Sequence, residues 1–133
     1  MKTLTTILLT ALSALALGCG GYSSSSHSTT PPAMGTMPNV TALAPNSANA
    51  GATGVVLTVN GTNFNSNATI NWKGASLTTT YVSGAQLMST IPNADLAASG
   101  TAAVTVTNPG TAGGIYGGGT SAETSNSMTF TIN

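Results

Sequence analysis

From Val55 onward the chain alternates, residue by residue, between apolar and short polar side chains. Val55, Leu57 and Val59 interleave with Val56, Thr58 and Asn60, and Ile70 and Trp72 with Thr69, Asn71 and Lys73. Ala102, Val104 and Val106 interleave with Ala103, Thr105 and Thr107, and Met128, Phe130 and Ile132 with Thr129, Thr131 and Asn133. A period of two puts successive side chains on opposite faces of a strand, so each run predicts a half-buried β-strand with Thr and Asn outward. No stretch of this region repeats its apolar residues at the 3.6-residue helical spacing. Weaker strands are expected at Val40–Ala44, Leu77–Val82 and Gln86–Ile91.

Turn residues fall between these runs: Pro45-Asn46-Ser47, Asn60-Gly61, Lys73-Gly74, Ser83-Gly84, Pro92-Asn93 and Asn108-Pro109-Gly110. About seven short antiparallel strands between residues 38 and 133 point to an all-β sandwich of immunoglobulin type, with a small barrel as the other architecture that fits. Val59, Phe64, Ile70, Val104, Val106, Phe130 and Ile132 are its expected centre. Outward polarity comes from hydroxyls and amides, because the whole chain holds only Lys2, Lys73, Asp95 and Glu123 as charged side chains. So few charges argue against a basic nucleic-acid surface and against an acidic partner patch.

The first 37 residues have another character. Met1-Lys2 leads into an uncharged stretch from Leu4 to Leu17, 14 residues long. A bilayer span needs about 20 apolar residues, so residues 1–18 have the size of a signal peptide rather than of a transmembrane helix. The stretch ends in Leu15-Ala16-Leu17-Gly18-Cys19, with Cys19 the only cysteine of the chain. This resembles the lipobox of bacterial lipoproteins, with Ala16 where a leucine is usual. The resemblance implies that Cys19 is acylated, becomes the mature N-terminus and anchors the protein in a membrane of the bacterial cell envelope. Gly20 after the cysteine resembles the outer-membrane sorting pattern of enteric bacteria. An ordinary signal peptide cut at a small residue is the competing reading. Residues 19–37 then form a lipidated cysteine and a Ser/Thr/Gly/Pro tether, too poor in apolar residues to order itself. Its 18 residues from Gly20 to Met37 span about 24 Å root-mean-square. His27, the only histidine, falls in this tether.

Within residues 38–133, several motifs carry a family likeness. Pro38-Asn39-Val40-Thr41-Ala42-Leu43-Ala44-Pro45 looks like an opening strand of the form P-x-I-x-x-L-x-P. Leu57-Thr58-Val59-Asn60-Gly61-Thr62-Asn63-Phe64 resembles the second-strand signature of the IPT/TIG domain, and Trp72-Lys73-Gly74, Ile91-Pro92, Gly100 and Phe130 fall where that family expects them. The resemblance implies an early-set immunoglobulin-like fold with roles in binding, spacing and assembly, and no shared catalytic residues. In the Gly-Thr-Asn-Phe element, Gly61 is expected to make a positive-φ turn and Phe64 to plug the end of the sandwich.

Catalysis finds little material. No histidine is positioned beside a nucleophile, an acylated Cys19 offers no thiolate, and Asp95 and Glu123 are expected at opposite ends of the sandwich. The chain is therefore expected not to be an enzyme and to carry no cofactor. Asn60, Asn63, Asn65 and Asn67 have the spacing of calcium-loop oxygens but no carboxylate among them, so turn chemistry explains them and no metal site is expected. Pro109 to Asn126 departs from the family pattern as a long insertion with six glycines. It is expected to be a structureless loop, either a tolerated insertion or a contact element anchored by Ile115 and Tyr116. Two functions remain. One is a lipid-anchored binding or adhesion module that meets an envelope protein or polysaccharide through loops, with Tyr116, Ile115, Tyr81 and, if it faces outward, Trp72 as contact candidates. The other is a structural accessory or spacer within an envelope complex.

Overall fold

The computed structural model describes residues 33–115 and 117–133. The signal-peptide stretch, Cys19, His27 and Tyr116 lie outside the described residues.

Among the described residues the alternation becomes ten strand segments, in chain order β1 (Asn39–Ala44), β2 (Ser47–Ala48), β3 (Val56–Thr62), β4 (Thr69–Trp72), β5 (Ala75–Ser76), β6 (Thr79–Ser83), β7 (Gln86–Thr90), β8 (Gly100–Asn108), β9 (Glu123–Thr124) and β10 (Met128–Ile132). Only β2, β5 and β9 are two-residue pieces, which leaves the seven full strands that the alternation predicts. Asn93–Leu96 forms a single 3₁₀ turn between β7 and β8. The strands build two facing sheets, β1-β3-β7-β6 and β2-β10-β8-β4-β5, with β9 also paired to β8. The chain thus folds as an immunoglobulin-like sandwich. The first edge strand is divided between the sheets: β1 pairs antiparallel with β3, and after Pro45 the chain crosses so that β2 pairs parallel with β10.

The apolar set of each alternating run faces the space between the sheets. All seven residues expected at the centre are buried, joined by Leu57, Trp72, Leu87, Ile91, Leu96 and Ala102. Lys73 and Gly74, with φ of 49° and 87°, make the tight turn between β4 and β5, a two-residue geometry whose twist matches the strands.

One turn assignment changes. Asn60-Gly61 is not a turn, because β3 runs on to Thr62 and Gly61 pairs with Val40. The positive φ falls instead on Asn63, at 62°. Gly61 has a different reason to be glycine: a Cβ there would collide with the Asn39 carbonyl of β1 and with the Phe64 ring. The glycine lets the neighbouring strand and the aromatic plug close on the same backbone position. Phe64 is buried as expected, and its N–H donates to the Gly84 carbonyl at 2.9 Å.

The insertion also differs from expectation. Residues 109–122 are not structureless but fold back as a narrow hairpin that continues β8, with Thr111 bridged to Thr120 and Gly114 to Gly117. Each threonine N–H donates to the other carbonyl, at 3.1 and 3.0 Å, and their hydroxyls lie 3.0 Å apart. A Cβ on Gly119 would meet the Gly113 nitrogen and the Thr111 carbonyl at 2.6 Å, so glycine is what allows the two arms this close. Residues 33–37, assigned by composition to the tether, lie along the hairpin and the end of the sandwich. Ala33 bridges Thr120 in parallel, and the carbonyls of Thr36 and Met37 accept from the side chains of Asn108 and Asn63.

The sandwich therefore has two unlike ends. The hairpin end gathers Asn108, the turn Asn63–Asn65, Gly84 and residues 33–37. At the other end Ala50 N–H bonds the Asn133 carbonyl and Gly51 N–H the Leu96 carbonyl, both at 2.7 Å.

Candidate functional site

The contact candidates part ways in the structure. Trp72 points inward from β4 and is only 1% exposed, packed on Phe130 with ring centroids 5.1 Å apart and planes tilted by 59°. It is part of the core and is withdrawn as a ligand contact. The physical reason is register: Trp72 shares the face of Ile70, and that face is the buried one. Its indole Nε1 is buried without a hydrogen-bond partner among the described residues, so packing alone holds the ring. Tyr81 lies on the edge strand β6 opposite Leu87 and is 41% exposed. Ile115 stands at the hairpin tip, 93% exposed. Tyr81 is on strand β6 and Ile115 in the turn beyond β8, so they belong to different elements. Tyr116 lies outside the described residues.

Among the described residues, a concavity lies away from both of these positions. It is a shallow groove of about 470 Å³ across the outer face of β3, β7 and β6, lined by Val56, Thr78, Thr80, Met88, Ser89 and Thr90. The register explains it. Thr58, Met88 and Thr80 stand in one cross-strand row, and Val56 and Thr90 in the next. Val56 and Met88 give the groove an apolar floor at positions where the alternation would otherwise place polar groups. Sequence reasoning had the signal, since Val56 breaks the Thr/Asn pattern of the outward set and Met88 stands between inward Leu87 and Ser89. The spread of its six lining residues over β3, β7 and the β6 region hid it.

The outer face of the other sheet offers less. There Asn71 Nδ2 donates to Thr107 Oγ1 at 2.9 Å, and Thr107 Oγ1 lies 2.9 Å from Thr124 Oγ1. These groups are occupied with one another and present a flat, internally bonded surface.

Two asparagines that composition would assign to turns do structural work between distant segments. Asn108 is buried; its Oδ1 accepts from Asn65 N–H at 3.0 Å and its Nδ2 donates to the carbonyls of Thr36 and Asn63 at 2.8 and 2.7 Å. Asn126 mimics a paired strand residue, accepting from Val40 N–H and donating to the Val40 carbonyl, both at 2.8 Å. It ties the edge of one sheet to the edge of the other. Two asparagines of the run 60–67 also bond within the fold: Asn60 Oδ1 accepts from Gln86 and Asn63 Nδ2 donates to the Met37 carbonyl.

The two carboxylates sit apart. Asp95 is in the 3₁₀ turn before Gly100, and Glu123 pairs with Asn108 at the far end of β8. The eight residue steps of β8, about 26 Å of strand, run between the two ends at which they sit. Glycosidic pairs work at roughly 5–9.5 Å.

The match of fold, Gly61–Phe64 packing and inward Trp72 is accompanied by a family model described as the IPT/TIG domain, which matches residues 38–132. The chain belongs to the IPT/TIG family. No curated protein and no solved structure matches it significantly. IPT/TIG domains are generally non-catalytic immunoglobulin-like modules used for binding or as spacers. This IPT/TIG domain differs from the expected pattern mainly in the hairpin that prolongs β8.

Proposed function

We propose that this protein is a non-catalytic binding module of the bacterial cell envelope, held to the membrane, and by its Gly20 to the outer membrane, through a lipid on Cys19, and that it meets an envelope protein or polysaccharide through its exposed surface. The observation that carries the binding reading is the uncharged groove over β3, β7 and β6, with Val56 and Met88 in its floor and threonine hydroxyls around it. Such a lining suits an uncharged, hydroxyl-rich or extended ligand, and an exposed aromatic such as Tyr81 on the neighbouring edge adds a stacking surface. The wide separation of Asp95 and Glu123 supports a role without catalysis.

The test uses the full chain extracted in detergent from its own membranes. Mass spectrometry should find an acylated N-terminal Cys19 and no residues 1–18. Immobilised wild-type protein should retain an envelope polymer or protein that the Met88→Lys variant, with an unchanged melting temperature, does not. Equal retention by both would remove the groove from the binding reading and leave the spacer role as the better one.

A further inference from the structure

Of the large apolar residues left in solvent, Val56, Tyr81 and Val82 lie on β3 and β6, and the two most exposed lie elsewhere. Ile115 at the hairpin tip is 93% exposed, and Met34, on the segment laid along the hairpin, is 82% exposed. No side chain of residues 109–122 is charged, and the nearest carboxylate, Glu123 at the hairpin base, accepts from the Ser121 hydroxyl at 2.9 Å. The neighbours Gly113, Gly114, Gly117 and Gly118 in the two arms have no side chain to pack on Ile115. An isolated exposed isoleucine needs no explanation by itself. Its position relative to the incoming chain does.

Ala33 N–H donates to the Gly119 carbonyl at 3.0 Å, and the Ala33 carbonyl accepts from Ser121 N–H at 3.1 Å. This is a parallel bridge to Thr120. In parallel pairing, what precedes Ala33 lies on the side of what precedes Thr120, and that side is the hairpin tip. The N-terminal side of Ala33 therefore faces the end of the hairpin that carries Ile115. Cys19 lies only 14 positions before Ala33, which for a tether of the composition read from sequence corresponds to about 21 Å root-mean-square. The tip stands up to about 16 Å beyond the Ala33 bridge, from five extended residues. An anchor at Cys19 and the tip at Ile115 thus fall within the same distance of one surface.

We propose that the hairpin tip is a second, shallow contact with the lipid surface in which Cys19 is anchored, with Ile115 entering the interface and Met34 lying against it. The inference rests on the lipid anchor proposed above. Ile115, expected from sequence as a partner contact, is thereby assigned to lipid, and the groove over β3, β7 and β6 faces sideways, free for a partner. The contact stays at headgroup depth, because the open backbone groups of the tip cannot enter hydrocarbon unpaired. It is too small to recruit the protein alone. Tethering supplies the effective concentration that makes a weak second contact persist.

The acylated full chain in vesicles of phosphatidylethanolamine and phosphatidylglycerol tests this directly. Acylation consumes the only thiol, so Ile115→Cys provides a single site for an environment-sensitive dye. Ser99→Cys, exposed just before β8 at the opposite end, provides the control. The label at 115 should shift to the blue when the vesicles are added and be quenched by nitroxide-bearing phospholipids, and the label at 99 should do neither. Met34→Cys should give intermediate quenching. A protein that floats with the vesicles while the labels at 115 and 99 stay equally wet overturns the tip contact and leaves the anchor standing. An unacylated Cys19, or a chain that does not float, removes the anchor and the tip contact with it.

Discussion

The Trp72–Phe130 centre and the Thr111–Thr120 hairpin lie on the same strand path, one beside β8 and one beyond its end, yet they are held by opposite means. In the centre, large side chains fill the space between two sheets and the backbone ladders follow from that packing. In the hairpin almost no side chain packs, and glycines let two backbones approach until hydrogen bonds and a pair of threonine hydroxyls connect them. The first arrangement removes apolar area from water, at about 25 cal/mol for each Å². The second exchanges bonds to water for bonds within the chain, which gains about 1 kcal/mol per bond before the entropy of ordering glycine is subtracted. The same β geometry can therefore be a structural commitment in one place and a local, reversible one in another.

The comparison breaks first if Phe130 is not what holds the centre. Phe130→Ala should lower stability by about 3–5 kcal/mol, read from urea unfolding midpoints at constant slope. A loss below about 1 kcal/mol would mean that the core collapses around the gap and that the aromatic pair is not central. Asn108 stands between the two regions, since it closes the sandwich where the hairpin departs. Asn108→Ala strands the Asn65 N–H and two carbonyls, and a loss of about 2–3 kcal/mol is expected in the same unfolding measurement. A near-neutral result would show that water replaces all three bonds.

Gly61→Ala sharpens the role of close approach inside the sandwich. It should destabilise by about 2–3 kcal/mol, because the β1 backbone as well as the Phe64 ring must move aside. The smallest effect belongs to the hairpin. Thr120→Ala should change global stability by no more than about 0.5 kcal/mol. Native-state amide exchange should nevertheless release Thr111 and Thr120 well before Val104 and Val106 of β8, because the hairpin opens without the core. Equal protection of the two would show that they unfold as one unit, and the contrast between them would fail.

Much of the sandwich was legible because its signal is local. Whether Ile70 or Asn71 faces inward is set by the residues on either side, and one register decides all of them at once. The same logic placed Phe64, Val104 and Ile132 in the core. It was weakest at the candidate site, where the groove draws Val56, Thr80 and Met88 from three strands that only the fold brings side by side. Trp72 showed a related weakness: its family position was clear, but whether it met ligand or core waited for the register of β4 against β8.

The sequence by itself determined the strands, their inward faces and the near-absence of charge, since alternation and composition are properties of neighbouring residues. Only the tertiary structure decided why Gly61 must be glycine, what Asn108 and Asn126 are for, and which way the hairpin and the incoming chain point. Asn126 bonds Val40 across 86 positions of sequence and Asn108 bonds Thr36 across 72. A side chain that can donate and accept fits many partners, and nothing in its neighbours says which backbone, far along the chain, folding will bring within reach.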